Sequence, residues 1–160
     1  MTSEQLLLEL TLNAWKGQLK RADQLFAGFT DEQLQAEIAP GKNSGQYLLG
    51  HLTATHDRLF ELLDLGARLH PELDAPFLSN PDKSGLPQPT VAELRQYWSD
   101  VNAKLADHLA KLLPSEWLQR HTQVSPEDFK KEPHRNKLNV LISRTNHVAY
   151  HLGQLVWLRK

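Results

Sequence analysis

Leu8, Leu12, Trp15, Leu19, Ala22, Phe26 and Phe29 recur at alternating steps of four and three residues. A helix turns once in ~3.6 residues, so this set forms one apolar stripe along one helical face. A stripe that long must be covered by other helices. The rest of the chain repeats the pattern in three more segments and offers little that reads as strand. The expected fold class is therefore all-α, a four-helix bundle.

The stops and starts between these segments follow from local chemistry. Asp31-Glu32-Gln33-Leu34 suits a short extra turn, and Pro40-Gly41-Lys42-Asn43-Ser44 is a loop in which Asn43 or Ser44 can cap the second helix. That helix carries Leu48, Leu52, Leu59 and Leu62 on one side and is expected to run to about Leu65. Pro71, Pro76, Pro81, Pro87 and Pro89 exclude a regular helix between Gly66 and Pro89. Compact domains seldom keep so long a connection without a use. Thr90-Val91-Ala92-Glu93 is a capping box opening the third helix, which continues through Leu94, Trp98, Val101, Leu105 and Leu109 and stops before Pro114. A second irregular stretch, with short turns at Ser115-Glu116-Trp117-Leu118 and Ser125-Pro126-Glu127-Asp128, leads to a last helix from about Lys137 to Arg159.

Connection lengths predict the winding. A short loop makes the first two helices antiparallel neighbours. The segment from Gly66 to Pro89 has the reach, at ~3.3 Å per residue, to travel back along a helix ~30 Å long. The third helix then starts parallel to the second, and the bundle is wound up-down-down-up with a long crossover between helices two and three. No repeat, low-complexity tract or boundary divides the chain, so residues 1–160 are expected to form a single domain.

Composition narrows the function classes. The formal net charge of -1 gives no basic field for nucleic acid. The absence of cysteine excludes disulfides, thiolate metal ligands and a cysteine nucleophile, so a metal would have to be held by nitrogen and oxygen. The residues after Met1 lack a basic signal-like start, and no apolar run approaches membrane-spanning length, so the expectation is a cytoplasmic protein with no membrane partner.

The chemistry-bearing residues are histidines. His147 and His151 stand four apart on the last helix and project from one face. In the expected winding, His51 lies at similar depth on the second helix and supplies a third imidazole. Three imidazoles without a thiolate suit a divalent ion with coordination positions left open. Bland readings stay beside this one: Arg144, His147, His151 and Gln154 as a solvent stripe, and His51 as a hydrogen-bonded core residue. His56, His70, His108, His121 and His134 show no comparable arrangement and read as surface or loop residues. Gln154, one turn beyond His151, either orients the site from outside the ligand set or is a polar residue of the helix end. Asp57 and Arg58 follow His51 but not at its i+3 or i+4 positions, and neither is assigned as a general base. No acid sits beside the pair as in His-Glu-x-x-His, which argues against that peptidase class.

Asn43-Ser44-Gly45-Gln46-Tyr47-Leu48-Leu49-Gly50-His51-Leu52, followed far downstream by His147-Val148-Ala149-Tyr150-His151-Leu152-Gly153-Gln154-Leu155, resembles the DinB/YfiT-like superfamily. The resemblance spans nearly the whole chain, including the tryptophan-bearing first helix and the long middle connection. It implies a four-helix bundle wound up-down-down-up that binds zinc, nickel or a similar divalent ion through His51, His147 and His151. It also implies a thiol-dependent transferase or isomerase using a low-molecular-weight thiol, and a homodimer.

Two functional readings follow. One is a metal-dependent enzyme, of thiol-transfer or hydrolase type, in which the ion activates a thiol or acidifies water. The other is a non-catalytic stress-associated or interaction bundle in which a metal is structural or absent. Trp98 and Trp157 are candidate dimer anchors or, alternatively, core tryptophans.

Overall fold

The structure is a computed structural model that describes residues 2–159. It is mostly helical, with no strand among those residues. The elements are α1 (Ser3–Ala27), α2 (Asp31–Gln35), α3 (Gly45–Asp57), α4 (Leu59–Leu62), α5 (Asp74–Phe77), α6 (Val91–Leu109), α7 (Pro114–Trp117), α8 (Pro126–Lys131) and α9 (Lys137–Leu155). Short 3-10 turns, Pro71–Leu73 and Val156–Leu158, precede α5 and follow α9.

The caps operate as local chemistry dictates. Ser44 Oγ accepts from the Tyr47 amide at the start of α3, and Thr90 and Glu93 bond each other's backbone amides at the start of α6. The α1 stripe buries Trp15, Ala22 and Phe26, with Phe29 just beyond the helix, while Leu8, Leu12 and Leu19 are half-buried against the same core. Leu94, Trp98, Val101, Leu105 and Leu109 bury the matching face of α6.

Three expectations need correction. The second long helix does not run unbroken to Leu65. It pauses at Arg58, resumes as α4 and ends at Leu62, because Asp64 and Gly66 take positive φ angles of 57° and 115° that a right-handed helix cannot continue through. The last helix gives way to a 3-10 turn at Val156, before Arg159. His56 is not a surface or loop residue: it is 0% exposed. Its ring lies between Trp15 and Trp98, with centroids 4.8 and 4.9 Å away, and its Nδ1 is 2.8 Å from Asn102 Oδ1. Of the tryptophans, Trp98 is core and Trp157 is 64% exposed.

The stretch between α4 and α6 is fastened along α3 in reverse order. Asp57 accepts from Arg68 and from the amides of Leu69 and His70. Phe77 oxygen meets His51, Tyr47 donates to the Asn80 carbonyl, and Asp82 accepts from the Ser44 amide. Leu73, Pro76 and Phe77 are buried, so this connection belongs to the core despite its prolines. Gly50 makes the seating possible. A Cβ there would lie far inside contact distance of the Phe77 ring, so only glycine lets the ring settle on the α3 backbone.

Packing places the remaining helices. α1 packs on α9, and α3 packs on both α6 and α9. Arg95, near the start of α6, donates to the carbonyls of Phe26 and Phe29 at the end of α1. Gly45, at the start of α3, touches Leu158 just past α9. No helix among the described residues is long and apolar enough to cross a membrane.

Candidate metal centre

His51 projects from α3 toward α9, where His147 and His151 share a face. One ring nitrogen from each of the three lies within 4.8 Å of the others. His147 Nε2 is 3.0 Å from His51 Nε2 and 3.0 Å from His151 Nε2. The rings are strongly inclined, at 61°, 73° and 89° in the three pairings, so the nitrogens converge while the ring bodies diverge.

The outward nitrogens of two rings are committed. His51 Nδ1 lies 2.9 Å from the Phe77 carbonyl, and His151 Nδ1 lies 2.7 Å from Gln154 Oε1. A carbonyl or amide oxygen only accepts, so each Nδ1 carries the proton and each Nε2 presents a lone pair. Metal-ligating histidines are oriented in the same manner, by a donor bond from the far nitrogen. His147 Nδ1 is buried without a hydrogen-bond partner. Tyr47 stacks parallel to His51, with ring centroids 6.2 Å apart.

Electrostatics keep the three rings in their ligand form. Burial pushes the His147 pKa down to about 3, helped by His151, His51 and Arg144. Burial also lowers His51 and His151; the bonds to Phe77 and Gln154 pull the other way and Arg144 presses further on His51. All three are thus neutral at neutral pH. Two Nε2 lone pairs facing a third nitrogen at 3.0 Å form a poor hydrogen-bonding set, since His147 has at most one Nε2 proton to share between them. As a donor set for a divalent cation the same arrangement is coherent, and the cluster can hold a metal ion.

A family model described as the DinB superfamily matches residues 14–155. The chain belongs to the DinB superfamily. No curated protein is similar enough to match it.

The polar stripe of α9 is not a solvent stripe. His151 is buried, and Arg144, His147 and Gln154 are half-buried. The other histidines stay outside the cluster: His70 stacks on Tyr97 at 3.9 Å, His108 meets Phe60 edge-on, His121 is half-buried and His134 is exposed. Two groups that orient the site escaped the sequence reading. The Phe77 carbonyl is a backbone atom with no residue signature, and Tyr47, one turn before His51, carries no local signal of its place beside that ring. The glycine at position 50 was a usable signal, because glycine inside a helix often marks close approach by another group. Asp57, not assigned a catalytic role, is fully occupied in holding Arg68, Leu69 and His70.

Proposed function

We propose that this DinB-superfamily chain is a metal-dependent enzyme whose divalent ion is held by His51, His147 and His151 through their Nε2 atoms. The single observation that carries the reading is the convergence of three neutral Nε2 atoms, two of them with tautomers set by Phe77 and Gln154. An ion held by neutral ligands keeps nearly all its charge and supplies Lewis-acid activation of a thiol or of water. Zinc and nickel are among the ions that an all-imidazole set suits. With no cysteine in the chain, a thiol would come from a small-molecule co-substrate, and the reaction class is thiol transfer or hydrolysis.

The chain's own residues divide the remaining work. Phe77 and Gln154 hold two imidazoles in their ligand tautomer, and Tyr47 flanks the His51 ring. The burial that lowers their pKa values keeps the histidines neutral and able to present lone pairs.

The same reading includes a single-domain four-helix bundle wound up-down-down-up. Its support is the meeting of the α6 start with the α1 end through Arg95, and of the α3 start with the segment after α9 through Gly45 and Leu158. It also includes a homodimer in the cytoplasm. Leu10 and Ile142 line one hollow between α1 and α9 and stand 58% and 42% exposed, with Leu7 one turn away at 62%, and a second copy would cover them. The net charge of -1 fits no nucleic-acid partner.

Metal content decides the central point. Protein purified without an affinity tag or added metal should carry near-stoichiometric zinc or nickel, and a His147→Ala/His151→Ala double variant should carry none. Parent protein that is metal-free and takes up neither ion would sink the enzyme reading and leave the non-catalytic bundle.

A further inference from the structure

One turn before His147 on the same face of α9, Arg144 borders a hollow of about 330 Å³. Small-molecule sites start at roughly 300 Å³. Arg58, Glu61, Arg68, Asp74 and Thr122 line the same hollow. Arg58 follows His51 by seven residues, about two turns on, at the pause between α3 and α4. The hollow therefore lies beside the segments that carry the histidines, one turn from His147 and about two from His51.

Its charges are unevenly matched. Arg68 is gripped by Asp57 at 2.9 Å and Asp74 at 2.6 Å, and Arg58 bonds Asp74 at 2.8 Å. Two carboxylates thus offset two guanidiniums. Arg144 has no carboxylate within bridging distance among the described residues, and its Nε is buried without a hydrogen-bond partner. A half-buried, unmatched guanidinium carries a desolvation cost that a bound anion would offset. Glu61 is exposed and solvated, so its charge opposes an anion only weakly.

We propose that Arg144 binds a carboxylate group of the substrate in this hollow, beside the three-histidine centre. A monoanion matches the one unmatched positive charge. A phosphate dianion would bring a second negative charge that finds no free partner, because Arg58 and Arg68 are already offset by Asp57 and Asp74. The planar guanidinium fork also matches a carboxylate in bidentate fashion. The substrate then has two handles, an acidic group at Arg144 and a reacting group at the histidines. The second handle rests on the metal-centre reading; the carboxylate site does not.

Arginine Nε–H resonances of metal-free, isotope-labelled protein provide the test. Acetate, added at constant ionic strength, should shift the Arg144 signal saturably and at lower concentration than phosphate. Chloride should not move it. The response should vanish in Arg144→Gln, whose remaining spectrum reports whether the fold is intact, and persist in His147→Ala/His151→Ala. Equal shifts with chloride, tighter binding of phosphate, or an unchanged response of neighbouring signals in Arg144→Gln would overturn the proposal. Calorimetry on zinc-loaded protein links the two handles. Mercaptopropionate should bind about tenfold or more tightly than propanethiol, and Arg144→Gln should erase that difference. Equal binding of the two thiols overturns the substrate role of Arg144. If neither thiol binds while acetate still shifts Arg144, the thiol reaction falls and the carboxylate site stands.

Discussion

At the scale of single residues, the centre depends as much on what holds the imidazoles as on the imidazoles themselves. Gln154 Oε1 fixes His151 with its proton on Nδ1, and Gln154 Nε2 reaches the Tyr150 hydroxyl at 3.3 Å. Replacing it with leucine keeps the bulk but frees the ring to flip or change tautomer. Gln154→Leu should weaken metal binding by about 10–100-fold with little effect on folding, as read by competition with a chromophoric chelator. Unchanged affinity would reduce Gln154 to a polar residue of the helix end. His147, His151 and Gln154 were legible because helical spacing puts them on one face of α9, whereas His51 on α3 could be joined to them only through the expected winding and the family resemblance. His56 was misread because its burial is made by Trp15, Trp98 and Asn102, residues of α1 and α6 that are remote in sequence.

Among elements, the informative unit is α3 with the connection that returns along it. Capping chemistry is local, so the starts of α3 and α6 could be read from Ser44 and from Thr90 with Glu93. The break at Arg58 and the docking of α5 could not, since both answer to packing between segments rather than to a local pattern. Gly50 shows how a small residue sets that packing. Gly50→Ala would drive a methyl into the Phe77 ring and force the α5 turn outward. The expected destabilisation is about 1–3 kcal/mol by urea unfolding. Since Phe77 also supplies the carbonyl for His51, metal affinity should fall in the same variant. A stability loss with no change in affinity would separate the ring's packing role from the carbonyl's orienting role.

For the molecule as a whole, a buried neutral histidine ties stability to pH. Burial holds the His56 pKa down to about 3, against the Asn102 bond that favours its charged form. In the unfolded chain a histidine titrates near 6.5, so between ~6.5 and ~3 the unfolded state binds the extra proton. The contribution of His56 is therefore fully present above about pH 6.5 and is lost progressively as pH falls toward about 3. His51, His147 and His151 are shifted in the same direction and add to the effect in metal-free protein. Urea midpoints of metal-free protein should drop steeply from neutral to mildly acidic pH. His56→Gln, though less stable, should show a shallower slope. A flat profile in the parent would contradict the buried, neutral state of these rings.

The anchored return along α3 also determines where the chain can be lengthened. From Asp57 to Ser44 the bonds to Leu69, Phe77, Asn80 and Asp82 act like stitches of set length. A residue inserted between Phe77 and Asn80 must pull one stitch out and tilt His51 away from its neighbours. Ser84, Gly85 and Leu86, past the last of those stitches, are exposed, and Gly85 already turns with a φ of 83°. A peptide tag or fluorophore loop spliced there should leave metal uptake intact, whereas a single alanine added after Leu78 should abolish it. This surface tip is therefore the place to attach a reporter without disturbing the three-histidine cluster.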